Sequence, residues 1–275
     1  MNDCANITVT EFYLTPFFTS RMNEILIFIG FLFMYLLAIV GNLIIIALIC
    51  AVPQLHTPMY FFLCNLSSID VIYVSAILPK MLSIILTEDK TISFYECMTQ
   101  MAFFVCCGNA DIYILTCMAY DRYVAVCSPL HYFLIMTRKI IPVMELSSSD
   151  TKRMKMIISM EDICVLASLI FILTSYVRII STVVKIRSSS GQLKALSSCS
   201  SHIITVLLFY GPSIFMYMKP ESEDSKEQDK ILSMFYVAVV PMLNPFVYSL
   251  RNKDVLGAAR KMAKVVLNKN RFSKH

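Results

Sequence analysis

Six stretches of this chain are almost continuously apolar, and its polar positions collect between them: Ile25–Cys50, Pro58–Leu86, Cys97–Val126, Ile163–Ile186, Leu196–Met218 and Ile231–Leu250. Each reaches the roughly 20 residues that a helix needs to cross a hydrocarbon core about 30 Å thick. By length and apolarity they predict membrane-spanning helices. The second run opens at Pro58, which suits a first helical turn, and Pro79 inside it predicts a kink near one end. Between Cys127 and Met160 the longest apolar pieces are Phe133–Met136 and Ile140–Met144, the latter broken by Pro142. Neither approaches the roughly 17 residues of a minimal span.

Beyond the last run, Val255, Leu256, Ala259, Met262, Val266 and Leu267 recur near helical spacing among Arg260, Lys261 and Lys264. That spacing predicts an amphipathic helix on the inner leaflet. The expected fold class is therefore all-α, a polytopic helix bundle: an N-terminal segment over 1–24, six spans between residues 25 and 250, and a basic tail over 251–275.

Composition agrees, with 57% hydrophobic residues, 16% charged residues and a mean hydropathy of +0.67, an apolar share well above that of ordinary soluble domains. Charge placement adds orientation. From Arg251 onward there are eight Lys or Arg residues against the single acid Asp254, which marks the tail as cytoplasmic. Lys219–Lys230 holds five acids against three bases, and Glu88 and Asp89 follow the second run, so these loops read as outer. Of ten cysteines most lie in or beside apolar runs as small hydrophobes, and only Cys4 and Cys97 sit where an oxidising outer face reaches them. The N-terminus shows no charged region, short apolar core and cleavage site in succession, so the first span is expected to act as its own insertion signal.

Polar groups inside hydrocarbon are functional candidates. They are Asn42, Asp70, Asn109, Asp111, His202 and Asn244. Asp70 and Asp111 can share a cation or a proton if both face one bundle interior, or each can hydrogen-bond a neighbouring helix. His202 reads as an interfacial polar residue near the inner end and not as a metal ligand. Asp121-Arg122-Tyr123 closes the third run, and in the last Pro241 and Pro245, with Asn244 between them, free backbone carbonyls and give a hinge.

Pro58-Met59-Tyr60-Phe61-Phe62-Leu63, Leu66-Ser67-Ser68-Ile69-Asp70, the block Met118–Cys127, Ser175-Tyr176, Lys194–His202 and Pro241–Asn252 together resemble, in order, the motif set of vertebrate odorant receptors of the rhodopsin-like G-protein-coupled class. The resemblance covers roughly residues 8–265 and implies a seven-helix receptor of the plasma membrane. It implies a switch for a heterotrimeric G protein in Asp121, Arg122 and Tyr123, with Asn244, Pro245 and Tyr248 rearranging on activation. Asn42, Asp70 and Asp111 would form a polar centre able to take a sodium ion, although the family usually has Glu where Asp111 stands. A small volatile odorant would lie in the outer half of the bundle against Phe104, Val105, Gly108, Asn109 and Ile112 and against Phe209, Tyr210 and Gly211. Asn6-Ile7-Thr8 is similar to the family's N-terminal glycosylation acceptor. The expected partners are thus the odorant, the G protein and the bilayer, with no nucleic acid and no resident metal.

The chain departs from the family between Pro129-Leu130-His131-Tyr132 and Met144–Asp150, where something like the fourth span and most of the second outer loop is absent and Cys97 loses its expected partner. Three spans leave the chain at the cytoplasmic face. Without a fourth, the last three must invert against the charge bias, one must stay uninserted, or residues 138–162 must cross irregularly. Two other readings compete: a non-signalling, receptor-like protein retained in the endoplasmic reticulum, and a small transporter or channel using Asp70 and Asp111. Enzymatic action is not expected, since no nucleophile with its base, no metal-ligand spacing and no phosphate-cradling glycine loop occurs.

Overall fold

The computed structural model describes residues 10–14, 21–87, 89–132, 151–218, 232–251 and 255–262. The apolar runs become helices: α1 (Arg21–Ala51), α2 (Pro58–Thr87), α3 (Phe94–Cys127), α4 (Thr151–Val184) and α5 (Ser189–Met218). These five are long and apolar enough to cross a membrane, and a shorter apolar stretch, Leu232–Tyr248, forms the sixth. The sixth is interrupted by a π-helical turn at Phe235–Val239 before continuing as α6 (Val240–Arg251). A final helix, α7 (255–262), follows.

Local chemistry sets several of the ends. Ser93 caps α3 by accepting from the Glu96 N–H at 3.2 Å, while the Glu96 carboxylate accepts the Ser93 N–H at 3.3 Å. Two otherwise orphaned donors are thereby satisfied. Pro53 and Pro129 open short 3-10 turns that leave the inner ends of α1 and α3. Both α4 and α5 begin earlier than the apolar runs suggest, because their polar first turns lie outside any apolar window yet still form helix. One small departure from all-α is a pair of three-residue strands, β1 (Glu11–Tyr13) and β2 (Thr91–Ser93), antiparallel with Phe12 opposite Ile92. Beside it, Asp89 accepts the Thr91 N–H and hydroxyl, and these bonds hold its carboxyl below the ordinary carboxylate range.

Side-chain contacts fix the helix directions. Along α2 and α3, Tyr73 meets Phe104, Gln100 donates to the Ala76 carbonyl, and Lys80 faces Glu96, so these two run antiparallel. From α3 to α4, Tyr120 meets Phe171 while Cys127 meets Thr182 and the Arg178 carbonyl, so these two run in the same direction. Helix α5 returns, with Tyr210 on Ser168 and His202 on Tyr176. Helix α6 descends again, with Tyr236 on Phe209 and the Val247 carbonyl on Ser201. The last three helices are therefore not inverted: α6 ends at the same face as α3, and the basic tail emerges where its charge favours.

Among the described residues the largest cluster of buried apolar side chains lies toward the inner half. Leu63, Leu66, Met118 and Tyr248 form a cluster that Val255 and Ala258 of α7 close from below, with Ala259 and Met262 against it. The amphipathic helix thus puts part of its apolar face on the bundle itself. Val266 and Leu267 lie outside the described residues, as do Asn6, Cys4 and the acidic loop.

Candidate functional site

The inner end of α3 carries the most complete polar arrangement. Asp121 is fully buried, and its Oδ2 accepts from Arg122 Nη2 at 2.7 Å and Nε at 3.1 Å. Its Oδ1 accepts the Tyr132 hydroxyl at 2.5 Å. Tyr132 follows the 3-10 turn Pro129–His131, which swings it back under α3. Burial, then the bond to Asp121, raises the Tyr132 pKa, so the phenol keeps its proton and acts as donor. The arginine side chain is only 13% exposed. A charged pair this enclosed persists because its partners are satisfied, and freeing Arg122 requires breaking bonds to Asp121. Tyr123, the third residue of the triplet, instead packs beside Tyr120 with ring centroids 6.4 Å apart. Sequence reasoning passed over Tyr132; a tyrosine three residues past a proline that ends a helix was the available signal.

A second polar layer joins α1, α2, α3 and α6. Asn244 Nδ2 donates to Asp70 Oδ2 at 2.9 Å, with both residues buried. Asn42 Nδ2 donates to the Ala38 and Pro241 carbonyls, each at 3.0 Å. The second bond uses a carbonyl freed by the hinge sequence of α6. Gly41 lets the two helices meet: a Cβ there would stand 3.0 Å from Pro245 Cγ. Asp111 lies within electrostatic reach of Asp70. Asp111 Oδ1, Asn244 Oδ1, Asn42 Oδ1 and the Tyr73 hydroxyl are buried without a hydrogen-bond partner. An orphaned buried oxygen is costly when left alone.

Between these layers and α5, His202 corrects the sequence reading. It is 2% exposed, not interfacial, with Nε2 3.0 Å from the Leu115 carbonyl and Nδ1 2.7 Å from the Tyr176 hydroxyl. Both contacts are satisfied when Nε2–H donates to the carbonyl and Nδ1 accepts from the tyrosine. Neutral imidazole thereby ties α3, α4 and α5 together. Tyr248 is buried with its hydroxyl 3.9 Å from Met118 Sδ.

The expected ligand residues divide. Ile112, Phe209 and Tyr210 pack in one cluster with Tyr236 alongside, and Tyr210 shares a 2.7 Å hydrogen bond with Ser168. Val105, Gly108 and Asn109 are half-buried higher on α3, and a Cβ built on Gly108 meets nothing within 4 Å. Asn109 Nδ2 is turned onto its own helix, donating to the Val105 carbonyl. Phe104 is 44% exposed and leans on Tyr73, away from the Phe209 cluster, and Gly211 is exposed. Cys97 carries a free thiol.

Residues 41–148 match the family described as 7 transmembrane receptor (rhodopsin family), and residues 142–267 match the family described as Olfactory receptor. The chain is 41% identical to mouse olfactory receptor 5AR1 across 92% of this chain and 96% of that one. It is 40% identical to human olfactory receptor 5AR1 over the same shares, and 41% identical to human olfactory receptor 1L6 across 86% of this chain and 80% of that one. The alignment with the mouse protein runs over 296 positions, more than the 275 residues of the chain, so that relative carries residues with no counterpart here.

Proposed function

Because this chain belongs to the olfactory receptor family of rhodopsin-like seven-helix receptors, we propose that it binds a small volatile ligand in the outer half of its bundle and reports binding to a heterotrimeric G protein at the inner end. It is a multi-pass protein of the plasma membrane and a receptor, not an enzyme. The observation that carries the proposal is the enclosed Asp121–Arg122 pair with Tyr132 beneath it, at the face where α3, α4 and α6 all end.

The ligand would meet apolar and aromatic groups: Val105, Gly108, Asn109 and Ile112 on α3 and Phe209 and Tyr210 on α5, with Phe104 at the rim. Open space beside Gly108 and the paired hydroxyls of Ser168 and Tyr210 support an apolar cavity with few polar groups, the usual make-up of a small-molecule site. Contact with Tyr210 reaches Tyr236 through Phe209, and from there the π-helical turn and Pro241, Asn244 and Pro245 of α6. A π turn and freed carbonyls allow α6 to change its winding without losing all its bonds. Movement there would draw Asn244 from Asp70 and Tyr248 from Met118, and separation of α5 from α3 would break the His202–Leu115 contact. Arg122 would then leave Asp121 and face the G protein with Tyr123.

The reading includes a sodium ion at Asp70 and Asp111, where Asp111 Oδ1, Asn244 Oδ1 and the Tyr73 hydroxyl supply oxygen donors. Such an ion would offset one of the two negative charges, ease the repulsion between the carboxylates and stabilise the resting arrangement.

The test is a panel of volatile compounds applied to cells expressing the full chain, with cyclic nucleotide as readout and surface protein measured in parallel. A response that Gly108→Leu weakens at unchanged surface level is expected. A chain that reaches the surface and couples to no G protein under any compound or basally would overturn the proposal.

A further inference from the structure

On the flank where α3 and α4 run side by side, Tyr120, Tyr123, Phe171, Thr174, Ser175 and Arg178 line a shallow open cleft with mostly apolar walls. The Tyr120 ring lies 6.4 Å from both Phe171 and Tyr123, so the aromatic wall is continuous across the two helices. Phe171 is 42% exposed, and Thr174 and Arg178 are exposed. Exposed Thr174 turns its hydroxyl back onto the Ile170 carbonyl, which leaves its outward surface apolar, and the buried Ser175 hydroxyl donates to the Phe171 carbonyl.

The charge sits at one end. Phe171 and Arg178 are seven residues apart, about 10 Å along the helix axis. The Cys127 thiol reaches the Arg178 carbonyl and the Thr182 hydroxyl, so Arg178 is level with the last turn of α3, at the inner surface of the membrane. Among the described residues the ion pairs are Lys80–Glu96 and Asp121–Arg122, and neither uses Arg178. A lipid-facing arginine paired with no acid among the described residues snorkels toward the headgroups.

We propose that this cleft is a binding site for an anionic phospholipid of the inner leaflet, its acyl chain lying along Tyr120 and Phe171 and its phosphate on Arg178. The order of groups matches that ligand: apolar and aromatic toward the membrane centre, a planar guanidinium with paired donors at the headgroup level. The inner leaflet is the one rich in anionic lipid. An apolar helix of another protein suits the site less, since covering the guanidinium without an acid leaves a buried unpaired charge.

The chain has no tryptophan, so Phe171→Trp gives a fluorophore that reports on the cleft alone. The full chain carrying it is reconstituted into vesicles of phosphatidylcholine with increasing dibrominated phosphatidylserine or, separately, dibrominated phosphatidylcholine. Half-maximal quenching is expected at about fivefold lower mole fraction of the serine lipid, the preference one cation confers. Arg178→Gln in the same background should equalise the two lipids, while Arg178→Lys should keep part of the difference. Equal quenching by both lipids, no quenching by either because protein covers the cleft, or a preference that survives Arg178→Gln would each overturn the proposal. Tyr120→Trp reads the same cleft from α3 and takes the place of Phe171→Trp should that variant not reconstitute.

Discussion

Replacing Tyr132 by phenylalanine removes one hydroxyl and keeps the ring, which isolates the bond to Asp121 from the packing around it. In the resting arrangement Asp121 Oδ1 accepts that hydroxyl at 2.5 Å while Oδ2 is occupied by Arg122. A hydrogen bond to a charged group contributes about 1.5–3 kcal/mol net, and here the acceptor is fully buried, so water does not replace the lost donor. If Arg122 is released on activation and this bond breaks with it, the loss falls on the resting state alone. The ratio of resting to active receptor should then drop about 10- to 100-fold. A receptor about 1% active without ligand would become about 10–50% active, well within reach of an assay. Basal cyclic nucleotide, normalised to surface receptor in cells, is the measurement. Basal activity unchanged, with thermal stability lowered, would show that Tyr132 holds the loop in both states and would refute this reasoning.

Three further outcomes follow from the same layers. Arg122→Ala should abolish the ligand-dependent response and, because buried Asp121 then keeps only Tyr132, destabilise the protein by about 3–5 kcal/mol; signal per surface receptor separates the two effects, and a normal signal would remove the switch assignment. Sodium should raise the temperature of unfolding of the intact chain, and Asp70→Asn or Asp111→Asn should each flatten that salt response; if neither does, the two carboxylates serve as interhelical hydrogen-bonding groups only. A glycosylation acceptor engineered between Glu221 and Lys230 should be modified and one beyond Asn268 should not, since α3 and α6 end at one face; modification of the C-terminal site would contradict the helix directions.

The apolar runs alone placed the helices, because in lipid every backbone group must be bonded within its own segment and length and hydropathy then leave little choice. The same economy made Asn42, Asp70, Asp121 and Asn244 visible, as polar groups are expensive there and stand out against their surroundings. Motif order was enough to identify the family. What the sequence left open was partnership. It offered Asp70 either another carboxylate or a neighbouring helix, and the bond to Asn244 lies 174 positions along the chain. It put His202 at an interface, whereas Tyr176 and the Leu115 carbonyl enclose it. Tyr132, quoted only as part of a loop block, and Tyr73 gain their roles only from what lies beside them. The direction of α4 was undecided for the same reason: its hydropathy is identical whether it runs up or down, and only its side-chain contacts with α3, Phe171 on Tyr120 and Thr182 on Cys127, distinguish the two. Hydropathy is a property of each residue and survives in the sequence; direction and pairing belong to residues far apart, and the tertiary structure alone brings them together.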